Sequence, residues 1–337
     1  MAIDIGIDMG SYSTQIYVAN KGLVVSEPTI VVADENKQIR AIGREALEMT
    51  GKTAEGLSVI HPMRSGAVNS FNYSVEFLKI LLDRCSRTVF AKRRVAMCVP
   101  SELSEVEKRA VEETAISAGA KEVYLIESPL AGAIGAGIEV SEPKGYVILD
   151  VGAGTTEAAV VSLGGVVVSS SSKTAGDAVD QAIVQFVKKK FNVEISDLAA
   201  ERVKIKIGAA LRGTGTEIAE VQGKDMYSGA AKAAILGTGE VYGAIGDVVK
   251  EIVETVVNVL EKTPPELAAD IIETGIIMIG EGSKLKGLGR LVKNVTGVEV
   301  YMAERPVESA AFGAALALKD KNKKLRLLSQ VTAPKNY

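Results

Sequence analysis

Apolar positions along this chain alternate between two periods, and the alternation runs through both of its halves. Short β-branched runs such as Ile5-Gly6-Ile7 and Val95 to Val99 read as strands. Between them, Val75, Leu78, Leu81 and Leu82 stand at i, i+3, i+6 and i+7, which predicts a helix over about 73–85. Turns are expected at Asn20-Lys21-Gly22 and Ser26-Glu27-Pro28. Ser104-Glu105-Val106-Glu107 has the form of a capping box opening a helix to about Ala118. Val123 to Ile126 reads as a strand, and 129–137 as a small-residue helix able to pack closely.

The second half restarts the pattern with a strand ending near Val151 and a strand pair around Leu163-Gly164-Gly165. An amphipathic helix follows Gly176-Asp177 to about Phe191, then a helix over 197–207 and β-like pieces near 217–221. A long helix over 241–262 and a short one after Pro264-Pro265 lead to a strand over 275–279. Residues 33–63 and 192–240 are more polar and read as insertions. Alternating strands and helices predict an α/β protein with partly parallel sheets, duplicated, with a ligand cleft between its halves.

The duplication carries chemistry. Ile5-Gly6-Ile7-Asp8-Met9-Gly10-Ser11-Tyr12-Ser13-Thr14 is echoed by Val147-Ile148-Leu149-Asp150-Val151-Gly152-Ala153-Gly154-Thr155-Thr156. Each is an apolar run, an Asp-x-Gly turn with hydroxylated residues, and a returning β-rich run. Glycine lets backbone N–H groups approach anionic oxygens, and a carboxylate at a strand end suits hydrated Mg²⁺, which needs only one or two. Two ordinary hairpins would use the same turn residues; the repetition is what favours one nucleotide gripped by two related halves.

Bulk properties narrow the classes. A chain of 337 residues with 47% hydrophobic and 24% charged residues is globular and long enough for two domains. A net charge of −3 argues against a general nucleic-acid binder. Two cysteines give no disulfide framework, and the one histidine, His61, lacks the partners of a zinc site or a triad. No apolar run reaches ~18 residues and the first residues lack a basic leader, so a cytoplasmic protein is expected. Thr50-Gly51-Lys52-Thr53 imitates a P-loop, but Ala46 stands where its first glycine belongs.

Taken together, the motifs resemble the actin and Hsp70 ATPase superfamily and, within it, the bacterial actin homologue MreB. The likeness rests on Asp8 to Ser11, Val99-Pro100-Ser101, Glu105 to Ala110, Ala131 to Gly137, Asp150 to Glu157, Gly176-Asp177, Glu201 to Gly208 and Leu260 to Ala269. It implies an actin-like fold of two ribonuclease-H-like halves with inserted subdomains. Subdomain IA would take 1–31, 64–143 and 308–337, and IB 32–63. Subdomain IIA would take 144–180 and 243–307, and IIB 181–242.

By the same resemblance, ATP is the nucleotide, and Asp8 and Asp150 hold Mg²⁺ through water. Ser11, Tyr12, Ser13 and Thr14 line the first phosphate loop; Gly152, Gly154, Thr155 and Thr156 line the second. Gly176 and Asp177 are further nucleotide-binding positions; Glu201 and Lys204 contact the nucleoside, with Gly280, Gly282, Ser283 and Lys284 in the turn beneath it. Lys284 reads equally as a surface charge. The implied partners are copies of the chain in head-to-tail filaments, paralogues, and the anionic inner membrane surface where such filaments control cell shape.

Several positions depart from the family pattern. Glu127-Ser128-Pro129 stands where Glu-Glu-Pro is usual, and Ser128 replaces the residue that orients the attacking water. Ala153 and Ser13 replace a usual glycine and asparagine. Phosphoryl transfer depends on positioning, so slow hydrolysis is expected unless Thr156 or Glu157 compensates. That departure also suits a nucleotide-binding paralogue serving other filaments; a soluble chaperone or sugar kinase is disfavoured by the absence of their further signatures. Finally, Arg84, Arg87, Lys92, Arg93 and Arg94 surround Val89-Phe90. An apolar tip in a basic collar suits insertion into an anionic interface, at about 1 kcal/mol per basic residue; a tip that caps the core would look the same.

Overall fold

The computed structural model describes residues 2–53, 55–85, 92–319 and 329–331. Its frame is one sheet design used twice. In the first half, Ala2–Met9, Ser13–Val18 and Gly22–Pro28 form an antiparallel meander. Lys92–Val99 and Glu122–Glu127 extend it in parallel from the other side of Ala2–Met9. In the second half, Tyr146–Val151, Thr156–Ser162 and Gly165–Ser172 form the meander, and Ile276–Ile279 and Val300–Met302 are the parallel strands. Ser329–Val331 pairs antiparallel with the outer strand Glu122–Glu127. Parallel strands covered on both faces need continuous apolar runs, and Val95 to Val99 is buried throughout.

Each half carries a smaller sheet where the sequence turns polar. Val31–Asp34, Ile39–Ile42 and Leu57–Ile60 form one, beside the helix Gly43–Met49. Val193–Glu194, Ile218–Asp225 and Ala231–Gly237 form the other, beside the helix Asp197–Ile207. The expected turn over 26–28 is instead the end of a strand, Ser13 pairing with Pro28. The capping box is present: Ser104 and Glu107 exchange side-chain and backbone hydrogen bonds at the start of Glu105–Ser117.

Two helices cross between the halves. Ser128–Gly135 leaves the last parallel strand of the first sheet and packs against Tyr146–Val151 and Thr156–Ser162 of the second. Ser309–Lys319 leaves the second sheet and packs on Ala2–Met9 and Lys92–Val99 of the first. They lie against each other so closely that side chains are excluded. A Cβ on Gly313 would stand 1.8 Å from the Ala131 carbonyl oxygen, and one on Gly135 1.9 Å from that of Ser309. Around this crossing Ile126, Ile134, Ile148 and Leu318 form a core shared by both halves. Full burial of each such side chain contributes roughly 1.5–3 kcal/mol.

Arg94, expected in a basic surface collar, is instead 8% exposed. It donates to Asp4 at 2.7 Å and to the Leu318 carbonyl at 2.9 Å, tying strand to crossing helix. Arg84 pairs with Glu27 at 3.0 Å and Arg93 with Asp83 at 2.8 Å, so these two charges, like that of Arg94, are already partnered. Arg87, Val89 and Phe90 lie outside the described residues. Among the described residues, no helix is long and apolar enough to cross a membrane.

Candidate functional site

The two Asp-x-Gly hairpins meet at the floor of the cleft. Asp8 stands opposite Gln15 in its antiparallel register, and Asp150 stands opposite Glu157 in the second. The turns between them match: Gly10 N–H donates to the Ser13 carbonyl at 3.0 Å, and Gly152 N–H to that of Thr155 at 2.9 Å. Residues directly opposite on antiparallel strands share a face. Each hairpin therefore offers its aspartate and that aspartate's partner to one cavity of about 100 Å³, which Ser128 and Cys98 also line. The turns themselves touch, since a Cβ on Gly154 would lie 2.9 Å from Ser11 Oγ.

The floor is crowded with carboxylates. Burial pushes Asp8 up to about 6. Asp150 is held well above the carboxylate range by burial first, then by the charges of Asp8 and Glu157. Glu157, 4% exposed, is pushed up to about 7 by burial, although Ser101 N–H donates to its Oε1 at 2.7 Å. Two buried aspartates that repel each other across a polar cavity fit a hydrated divalent cation, which would relieve that repulsion. Gly280 backs Asp150 at positive φ, +82°. A Cβ there would sit 2.4 Å from Asp150 Oδ1, so any side chain would displace the carboxylate.

Beside this floor lies a cavity of about 280 Å³ lined by Gly176, Asp177, Glu201, Lys204, Gly282 and Lys284. The start of the helix Gly176–Phe191 and the helix Asp197–Ile207 form its walls. Lys204 Nζ donates to Asp180 Oδ2 at 2.6 Å and to the Gly176 carbonyl at 3.1 Å. Burial raises Asp180 to about 7 despite that ammonium. From the opposite half, Tyr12 also lines this cavity, and its hydroxyl donates to Glu201 Oε2 at 2.7 Å. The bond spans 189 positions of sequence and links the two halves across the cleft.

Not every expected residue faces the cavities. Thr14 is fully buried and its hydroxyl bonds that of Thr29 at 2.8 Å. Thr156, its counterpart, gives its hydroxyl to the Thr174 carbonyl at 2.7 Å. Both hold the hairpins' second strands in place. Ser283 Oγ donates to the Gly280 carbonyl at 2.6 Å and braces that turn. Glu127 is half-buried ahead of the helix Ser128–Gly135, its carboxyl raised by burial. Ser13, Thr155 and Gly280 line the floor, and Lys284 is exposed at the rim of the larger cavity. The motif reading missed Gln15, Cys98 and Asp180. Gln15 shares its strand with Ser13 and Thr14, and the strand of Cys98 opens with Lys92, Arg93 and Arg94, so neither stands out by its surroundings.

Comparison with known proteins agrees with this architecture. The MreB/Mbl protein family model matches residues 2–326. The cell shape-determining protein Mbl of Bacillus subtilis is 38% identical over 324 residues, covering 96% of this chain and 97% of that protein. Cell shape-determining protein MreB of Escherichia coli K12 is 39% identical over 322 residues, 94% of this chain and 93% of that one. Among solved structures, MreB5 of Spiroplasma citri bound to AMPPNP superposes with a TM-score of 0.91 at 28% identity, covering 97% of this chain and 98% of that chain. The MamK double helical filament shares the fold, with a TM-score of 0.82 at 19% identity over 95% of this chain and 99% of its own. With an actin-like fold and a family match along nearly its whole length, this chain belongs to the MreB/Mbl family of cell shape-determining proteins.

Proposed function

We propose that this chain binds Mg-ATP in the cleft and polymerises head to tail into membrane-associated filaments that govern cell shape, with slow ATP hydrolysis. One observation carries the reading. Asp8 and Asp150, equivalent residues of two matched hairpins, share a single polar cavity that adjoins a larger one. MreB5 of Spiroplasma citri is known bound to AMPPNP and to ADP, which supports nucleotide binding here.

In this reading Asp8 and Asp150 hold the cation through water, and the bound cation offsets charge on the phosphates. Ser11, Ser13, Gly152, Gly154 and Thr155 surround the phosphates; Glu201, Lys204, Gly176, Asp177, Gly282 and Lys284 surround the nucleoside. Glu201 must exchange its Tyr12 hydrogen bond for a ribose hydroxyl as the nucleotide enters. We assign subdomains IA (1–31, 64–143, 308–337), IB (32–63), IIA (144–180, 243–307) and IIB (181–242). A heterologous contact that does not close gives a filament, and two such strands running antiparallel are the assembly we favour.

Ser128 is 8% exposed and faces the cavity floor, but its hydroxyl is two carbons shorter in reach than a glutamate carboxylate. That favours slow chemistry, and it sustains a second reading in which the chain is a nucleotide-binding subunit of other MreB filaments. The test is sedimentation of the pure protein with Mg²⁺ and either ATP or a non-hydrolysable analogue, alongside phosphate release. Pelleting in both with little phosphate supports the first reading. Pelleting only with a paralogue supports the second, and no nucleotide dependence refutes both. For the membrane, Val89→Ala with Phe90→Ala should abolish co-sedimentation with anionic liposomes; unchanged binding removes these two residues as the anchor.

A further inference from the structure

We infer that Gln15, and not the residue at 128, positions the attacking water for ATP hydrolysis in this chain. The inference deepens the proposed ATPase reading and rests on it. Four observations converge on this side chain. It lies inside the cavity floor with Asp8, Asp150 and Ser128. It is directly opposite Asp8 in the strand register, so it points to the same face as the cation-binding carboxylate. It is only 3% exposed. Its Oε1 is a buried acceptor with no hydrogen-bond partner among the described residues.

A buried polar atom without a partner calls for an explanation, because leaving it so costs about 1–3 kcal/mol. What can satisfy it is decided by polarity. Phosphate oxygens are acceptors and cannot pair with a carboxamide oxygen; a water can. A carboxamide is also a proven water-orienting group, since a glutamine performs that task in other nucleotide hydrolases. Ser128 shares the cavity, yet its reach is short, and the hydroxyls of Thr14 and Thr156 are committed to Thr29 and Thr174. Glu157 holds the matching place opposite Asp150, but one of its oxygens is already bound by Ser101 N–H.

In the step itself, the water oxygen forms a bond to the γ-phosphorus while the bond to the β–γ bridging oxygen breaks. ADP leaves with that electron pair. The water's proton passes to the new phosphate and from there to solvent; Gln15 accepts a hydrogen bond from the water and takes no proton.

The experiment is single-turnover phosphate release with Mg-ATP by wild type, Gln15→Met and Gln15→Asn. Affinity is read in parallel from displacement of a fluorescent ATP analogue, and folding from circular dichroism melting. Methionine keeps the length without the amide, and asparagine keeps the amide but withdraws it, so one variant serves if the other does not fold. A tenfold or greater fall in the release rate, with affinity within threefold and unchanged melting, is the expected result. Unchanged release in a folded variant overturns the inference. Weakened affinity with an unchanged chemical rate also overturns it and makes Gln15 a phosphate contact. If wild type binds ATP and releases no phosphate, the inference fails while the binding reading stands. If wild type does not bind ATP, the binding reading fails and the inference with it.

Discussion

The hairpin Ala2–Met9/Ser13–Val18 and the hairpin Tyr146–Val151/Thr156–Ser162 share one backbone plan but assign their polar groups differently. Their turns close with the same hydrogen bond at nearly the same length, 3.0 and 2.9 Å. The residue facing each aspartate differs: neutral Gln15 in the first, the Glu157 carboxyl in the second. Burial alone lifts Asp8 to about 6, whereas for Asp150 the charges of Asp8 and Glu157 add to burial in raising it. A duplicated frame fixes where aspartates stand; the residue across the strand decides how much negative charge each half must neutralise.

The halves differ in the same way where the crossing helices dock. In the first, the sheet supplies the small residue: a Cβ on Gly6 would stand 2.1 Å from the Ala311 carbonyl oxygen. In the second, Ile148 takes the matching sheet position and the helix supplies Gly132, whose added Cβ would meet Ile279 Cδ1 at 2.2 Å. Close approach is conserved by moving the glycine from strand to helix.

The sharpest way to break the comparison is at the aspartates. Asp150→Asn should cut phosphate release by roughly 10²-fold or more, the scale of losing one electrostatic partner in a catalytic site. Because ionised Asp150 is disfavoured in the folded state, the same change should raise the melting temperature of nucleotide-free protein at pH 7 to 8. Its contribution is present at low pH and lost as pH rises through its elevated folded value. Asp8→Asn should show a smaller rise; an equal or larger one would contradict the asymmetry. Next in size are the docking sites, read by chemical denaturation. Ile148→Ala should cost about 2–5 kcal/mol by leaving a cavity. Gly6→Ala should cost about 1–3 kcal/mol by overpacking, and a neutral Gly6→Ala would show that the contact is looser than its geometry.

Smaller effects probe the site's departures. Ser128→Glu should leave single-turnover phosphate release within about threefold, because Gln15 already holds the water. A rise of about tenfold, the low side of a well-placed general base or water-orienting group, would show that the water is not held in the wild type. Tyr12→Phe removes the hydrogen bond across the cleft at the position where the second hairpin has Gly154. A net hydrogen bond of about 1 kcal/mol corresponds to roughly fivefold tighter nucleotide binding once Glu201 is free, measurable by equilibrium titration. Weaker binding would show that Tyr12 itself contacts the nucleotide.

Much of this frame was legible because periodicity reports which face of a strand or helix is buried. The hairpins, the capped helix Glu105–Ser117 and the long helix Thr238–Lys262 all stand where the pattern placed them, within a few residues. The helix Ser309–Lys319 was not legible, for a physical reason. Its run of alanines around Gly313 has no polar face, being enclosed by the first sheet and the other crossing helix. The strand Ala231–Gly237 escaped notice because its first half is exposed and alanine-rich, with little apolar alternation to mark it.

By itself, the sequence determined the duplicated α/β plan, the two aspartates and the family, because backbone periodicity and turn chemistry are local. It could not determine side-chain direction, which depends on neighbours distant in sequence. Thr14 and Thr156 look like phosphate ligands on paper, yet Thr29 and Thr174 take their hydroxyls. Gln15 reads as an outward polar residue in a strand, yet packing closes over it beside the cavity and leaves its oxygen without a partner among the described residues. Tyr12 and Glu201 meet only because the crossing helices bring two separately coded halves together, and that meeting is a property of the tertiary structure alone.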